Sequence, residues 1–224
     1  TIAVSKWDQN EKFKVLLVGI DRKSEQHIFV DALLLLVLDP SNNEVGLINI
    51  NPDIVTYNQN IDKQMALRRS LIDSNDEGFE EVASLTESVL ATEIDRVMVI
   101  EPTFLKEMGA YTNNIPVTLL REVSDNDVVN TNNSSSWPIG KVNVSAEAVY
   151  DFVRSDSNGR DDQLTRQLEI YKNYIQNIDK LKLLLGFSDF LDIIEKNLLT
   201  NMTKIEMIRT YLFLRSVPPG SYKT

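Results

Sequence analysis

The sequence predicts an α/β fold, a three-layer α/β/α sandwich around a central mixed β-sheet, and three observations carry that prediction. Residues 32–38 are seven apolar side chains without a break, which fits a strand covered on both faces. Short apolar segments in the first half alternate with stretches whose apolar residues recur every three or four positions. Helical periodicity dominates the last third, and neither an internal repeat nor a linker divides the chain.

In chain order, residues 13–20 (FKVLLVGI) read as the first strand, with Gly19 and Asp21 marking its end. Residues 32–38 are the second. Asp39-Pro40-Ser41-Asn42-Asn43 is a turn signal, and Glu44–Ile50 follows as a third strand, completing a hairpin. Two helices are expected next, over residues 61–72 and 79–91. The second places Phe79, Val82, Ala83, Leu85, Val89 and Leu90 on one stripe. Arg96–Ile100 is a short buried strand, residues 102–108 a helix with Pro near its first turn, and residues 117–123 a further strand. Residues 125–136 break the pattern: ten of the twelve are Asp, Asn, Ser or Thr, which reads as a solvated loop. Ser145 caps a helix running to about Val153. The longest helix carries Leu164, Leu168, Tyr171, Ile175, Ile178 and Leu181, and helices over residues 188–199 and 203–214 close the chain. The expected organisation is one domain over residues 13–217, preceded by residues 1–12 and followed by a tail at 218–224.

Composition removes several function classes. The chain has 224 residues, 23 Lys and Arg against 33 Asp and Glu, and a net charge of −10. Such a chain repels phosphate backbones, so nucleic acid is not expected as a partner. The absence of cysteine excludes disulfides, thiolate nucleophiles and sulfur-ligated metals. A single histidine, His27, excludes sites that need two imidazoles. The phosphate loops GxGxxG and GxxxxGK[ST] do not occur. Asp73-Ser74-Asn75-Asp76-Glu77-Gly78 begins like a calcium loop, but position 12 is Ser84 rather than the bidentate Glu, so it reads as a turn. Asn133-Ser134-Ser135 and Asn201-Met202-Thr203 match glycosylation acceptors, a pattern too common to carry weight.

Two features remain. Asp21 just after the first strand and Asp31 just before the second fall at sheet ends, where open α/β folds place ligands. Two such carboxylates suit a hard cation such as magnesium, or serve only as loop caps. Arg154, with Arg166 and Gln167 downstream, sets two guanidinium groups and an amide around one polar loop, and a guanidinium fork matches phosphate or carboxylate oxygens.

The order of these pieces resembles the LytR–CpsA–Psr family, wall-glycopolymer transferases of mainly Gram-positive bacteria. Val18-Gly19-Ile20-Asp21-Arg22 is similar to the family's opening Gly-hydrophobic-Asp turn, and Asp31-Ala32-Leu33-Leu34 to its Asp before an apolar strand. Ile50-Asn51-Pro52-Asp53 matches its acidic tripeptide. The stretch from Val149 to Asp156 resembles an Ala-Leu-x-Tyr-Val-Arg-x-Arg helix end, and Gln163-Leu164-Thr165-Arg166-Gln167 an Arg-x-x-Arg-Gln helix start. Thr200-Asn201-Met202-Thr203 is similar to a segment common there, so the likeness runs from Phe13 to Leu214.

The resemblance implies transfer of a glycopolymer from a polyprenyl pyrophosphate to peptidoglycan by an extracytoplasmic domain, anchored in the membrane through a segment ahead of residues 1–12. It implies Mg2+ on Asp21 and Asp31, catalytic roles for Asp31, Asp53 and Arg154, and a phosphate-binding set of Arg22, Arg154, Arg166 and Gln167. Three positions depart from the pattern: Pro52, Asp156 and Gln163 stand where the family carries arginine. Each lost charge-assisted contact to phosphate is worth about 1.5–3 kcal/mol. The alternative expectation is therefore a degenerate module of the same fold that binds polyprenyl lipid or wall polymer without turnover. Arg22 and Arg160 are the candidates to replace the missing cations.

Overall fold

A computed structural model of the chain describes residues 11–24, 27–59, 62–71, 78–124, 136–155, 158–178 and 187–224. In chain order these form β1 (Phe13–Ser24), β2 (His27–Asp39), β3 (Glu44–Ile50), β4 (Val55–Asn58), β5 (Lys63–Ala66), α1 (Gly78–Leu90) and β6 (Arg96–Ile100). Then come α2 (Pro102–Glu107), β7 (Ile115–Leu119), β8 (Val123–Ser124), β9 (Ser136–Trp137), β10 (Gly140–Val144), α3 (Val149–Arg154), α4 (Arg160–Asn177) and α5 (Phe187–Asn197). The chain ends with β11 (Leu198–Thr200), α6 (Lys204–Ser216) and β12 (Tyr222–Lys223). Two compact units result, one made of the described residues up to Pro102 with Asn197–Thr224, the other of Thr103–Lys196. No described helix is long and apolar enough to cross a membrane.

The first unit is built on a six-stranded sheet in the order β11-β6-β1-β2-β3-β12. It is mixed: β1, β2 and β3 run antiparallel, while β6 lies parallel to β1 and β12 parallel to β3. Leu33, Leu34, Leu35 and Leu36 are all buried, so both faces of β2 are covered, as the unbroken apolar run requires. On one face Leu16, Val18, Leu33, Leu35, Val97 and Val99 pack with Val82 and Leu85 of α1. Strand alternation sends Arg96 to the other face, where it meets α6. There the Arg96 Nη2 lies 2.9 Å from Oε1 of Glu206, which is fully buried. Burial pushes the Glu206 carboxyl up, and the hydrogen bonds from Arg96 and Thr203 with the Arg96 charge together outweigh it, leaving the group below the usual carboxylate range. Glu206 also closes a capping box with Thr203 at the start of α6.

The turn between β2 and β3 forms where expected. Asp39 accepts hydrogen bonds from the Asn42 backbone and side chain, and Asn43 takes a left-handed φ of 51°.

The second unit pairs β7 with β10 and packs α4 on β7 and α3 on α4. Phe152 and Ile170 are buried at its centre, with Trp137 edge-on to Phe152 at 5.1 Å.

Several element boundaries differ from the sequence reading. The helix expected over residues 61–72 is instead the β4–β5 hairpin followed by a 3-10 turn, Leu67–Arg69. Long-range backbone bonds override helix propensity here: the Leu67 amide donates to the Ile54 carbonyl at 3.0 Å and the Arg68 amide to the Pro52 carbonyl at 2.7 Å. Residues 117–123 hold two separate strands rather than one, β7 and β8. The helix expected to reach residue 199 stops at Asn197, and Leu198–Thr200 pairs antiparallel with β6. Residues 125–135, 72–77 and Asp156, to which a solvated loop, a turn and a missing arginine were assigned, lie outside the described residues.

Candidate functional site

Neither β1 nor β2 ends where the sequence suggested. Both run on past Asp21 and Asp31, so the two carboxylates sit inside an extended ribbon rather than at strand ends. Gly19 pairs with Ala32 but Ile20 pairs with Val30, so the ladder passes over Asp31. A bulge of this kind re-aims one side chain relative to the pleat. Gly19 permits the close approach beside it, because a Cβ there would lie 3.2 Å from that of Ala32. Beyond the bulge, Asp21 faces Phe29 across the ladder, and Arg22 follows opposite Ile28.

Asp21, Phe29 and Asp31 line a pocket of about 190 Å³ together with Arg68 and Arg69. The two arginines reach it from the 3-10 turn, whose Leu67 is buried in the core of the first unit. The amide-to-carbonyl bond from Arg68 to Pro52 also places the Arg68 side chain beside Asp53, with Nη1 3.0 Å from Oδ1. Asp53 in turn donates its amide to Oδ1 of Asn51 at 2.9 Å. The pocket therefore joins two carboxylates, two guanidinium groups and one ring, with Asp53 bound to its rim through Arg68.

The remaining predicted residues belong to the second unit, around the end of α3. Arg154 is exposed; its guanidinium donates to the Tyr150 hydroxyl and lies 5.2 Å from the Tyr150 ring centroid. Lys106 sits over the same ring at 4.7 Å, so two cations share one aromatic face system. Arg166 is only 3% exposed, and its N–H groups are directed to Asp162 at 2.9 Å, to the Phe152 carbonyl at 2.7 Å and to the Ser155 carbonyl. Gln167, also buried, donates to the Val153 carbonyl, and Gln163 donates to the carbonyls of Val153 and Arg154. These are the last carbonyls of α3, which lack partners within the helix itself. Arg160 enters the same cluster by donating to Oε1 of Gln163 at 2.6 Å.

Of the residues that line this pocket, the sequence reading singled out Asp21 and Asp31 and passed over Phe29, Arg68 and Arg69. The adjacent arginines in a strongly acidic chain were the available signal, hidden by their assignment to a helix.

Among the described residues no group of three or more Asp, Glu or His is placed to hold a metal ion. The donor set nonetheless fits magnesium, which is held by one or two carboxylates while water and substrate phosphates supply the other oxygens. Asp21 and Asp31 are the residues that would hold it.

Comparison with known proteins places the chain in a family and a fold. The chain matches the LytR_cpsA_psr family over residues 1–219. It is 22% identical to polyisoprenyl-teichoic acid--peptidoglycan teichoic acid transferase TagU of Bacillus mycoides over 209 residues, 92% of this chain. The chain spans 66% of that relative's length, just under two thirds. Its fold is similar to the crystal structure of B. subtilis TagV, with a TM-score of 0.74 and 17% identity over 96% of this chain and 84% of that one. It is also similar to TagT bound to LI-WTA, with a TM-score of 0.71 and 19% identity over 98% of this chain and 80% of that one.

Proposed function

Because the chain belongs to the LytR_cpsA_psr family, we propose that it transfers a wall glycopolymer from a polyprenyl-pyrophosphate carrier to peptidoglycan, outside the cytoplasm. The observation that carries this reading is the pocket in which Asp21 and Asp31 meet Arg68 and Arg69. In the transfer, an acceptor hydroxyl oxygen bonds to the polymer-bearing phosphorus and the bridging P–O bond breaks. The lipid leaves as polyprenyl phosphate, and the hydroxyl proton passes to a pocket carboxylate. Magnesium held by Asp21 and Asp31 would draw off charge from the phosphate oxygens as that bond breaks. The bulge fixes where Asp31 points, and the ion pair with Asp53 orients Arg68. Preorganised charges of this kind stabilise a transition state without rearranging.

Arg154 is an exposed cation of the second unit, and we assign Arg166 and Gln167 a positioning role, since they hold the helix end that carries it. Arg22, next to Asp21 in β1, stays in the phosphate-side set by resemblance. The membrane anchor belongs to the same proposal.

The test is transfer of a pyrophosphate-linked glycopolymer onto purified peptidoglycan. The reading predicts turnover by the native chain and a loss of about 100-fold in Asp31→Asn. Tight binding of the lipid substrate without turnover would instead favour the non-transferring module.

A further inference from the structure

The two arginines of the pocket have no counterpart in the residues expected to bind phosphate, and their surroundings give them a distinct job. Their backbone is fixed before any ligand arrives. Leu67 is buried, its amide is bound to Ile54, its carbonyl accepts from Oγ of Ser70 at 2.7 Å, and the Arg68 amide is bound to Pro52. One edge of the Arg68 guanidinium is engaged by Asp53. Its Nε is buried and has no hydrogen-bond partner among the described residues. A guanidinium offers five donors in a fixed fork, so Arg68 keeps donor capacity that the protein does not use. Arg69 is exposed, and no described residue forms an ion pair with it.

Charge decides the ligand class. Among the described residues the lining of the pocket balances, two carboxylates against two guanidinium groups, with Asp53 paired to Arg68 at its rim. A bare anion meets the repulsion of Asp21 and Asp31, and a bare cation meets that of Arg68 and Arg69. A ligand carrying both signs meets neither, and a diphosphate chelated to a divalent cation is such a ligand.

Resting on the reading above, we propose that Arg68 and Arg69 are the residues that bind the diphosphate oxygens in this chain. Arg68 takes over at the loop where Pro52 replaces the arginine of the family pattern. It comes from another segment of sequence and reaches that loop through the Pro52 carbonyl itself. Arg68 and Arg69 are binding residues, and Asp53 is a positioning residue that acts through Arg68.

The experiment is calorimetric titration of the purified chain with geranylgeranyl pyrophosphate and with inorganic pyrophosphate, each with and without magnesium. Geranylgeraniol serves as the headgroup-free control. The native chain is expected to bind both pyrophosphates, the lipid form more tightly, and to lose most of that affinity without magnesium. Arg69→Ala is expected to weaken both by about tenfold or more at unchanged melting temperature, and Arg69→Lys to recover part of the loss. Arg68→Gln should act likewise; should it fail to fold, Arg69→Ala still decides. Native-like affinity in Arg69→Ala and Arg68→Gln, with the native chain binding lipid pyrophosphate, would overturn the arginine assignment and leave the functional reading standing. Arginine-dependent binding of inorganic pyrophosphate with no preference for the lipid form would support the assignment and overturn the lipid-carrier reading. A native chain that binds neither would overturn both.

Discussion

Two groups of arginines in this molecule do opposite things with the same side chain. In the second unit Arg166 is buried and turns its donors inward, onto Asp162 and the carbonyls that end α3. In the first unit Arg68 and Arg69 hang from a fixed backbone and line a pocket with Asp21 and Asp31. The difference teaches that residue type alone does not say where an arginine's donors go: those of Arg166 are taken up inside the protein, while Arg68 and Arg69 line a pocket.

The contrast can be broken most sharply at Arg166. Replacing it with Met removes a buried guanidinium and strands the Phe152 and Ser155 carbonyls. The expected loss is about 3–5 kcal/mol in chemical denaturation. A loss under about 1 kcal/mol would mean that Arg166 is not the structural half of the comparison.

Next comes the buried pair of the first unit. Arg96→Leu leaves Glu206 buried without its cation and should cost about 3 kcal/mol. The pH dependence sharpens this. Glu206 has a depressed carboxyl pKa in the folded chain, so its contribution is present above the ordinary carboxylate pKa of about 4.3 and is lost as pH falls through the lower folded value. Glu206→Gln should flatten the acid limb of the stability curve; an unchanged acid limb would remove Glu206 from the account.

A smaller effect is expected at Gln163. Restoring the arginine of the family pattern there displaces an amide that already bonds the Val153 and Arg154 carbonyls. Gln163→Arg should lower stability by about 1–3 kcal/mol without raising transfer, measured by thermal melts beside the transfer assay. Increased transfer would show that the cluster has room for a further phosphate ligand. Smallest of all on stability is Arg69→Ala, expected within about 0.5 kcal/mol of the native chain.

How much of this the sequence disclosed follows from range. The strand cores over residues 13–20 and 32–38, the Asp39–Asn43 turn and the stripe of α1 are local patterns, and they stand where the residues indicated. The neighbouring of Asp21 and Asp31 followed from two adjacent strands. What stayed hidden depends on contacts between distant segments. Nothing near Leu67 announces that its amide meets Ile54, yet that bond turns a helical pattern into a hairpin and brings Arg68 and Arg69 to the pocket. The bulge at Asp31 is equally silent, because a one-residue slip in register leaves no mark on composition. The short edge strand Leu198–Thr200 is too brief to separate from the helix before it.

The most direct test of the account is a crystal structure of the chain soaked with geranylgeranyl pyrophosphate and magnesium. The account predicts the diphosphate within hydrogen-bond reach of Arg68 and Arg69, with magnesium held at Asp21 and Asp31. A diphosphate ordered at any other place on the chain, with these four side chains contacting only solvent, would contradict it.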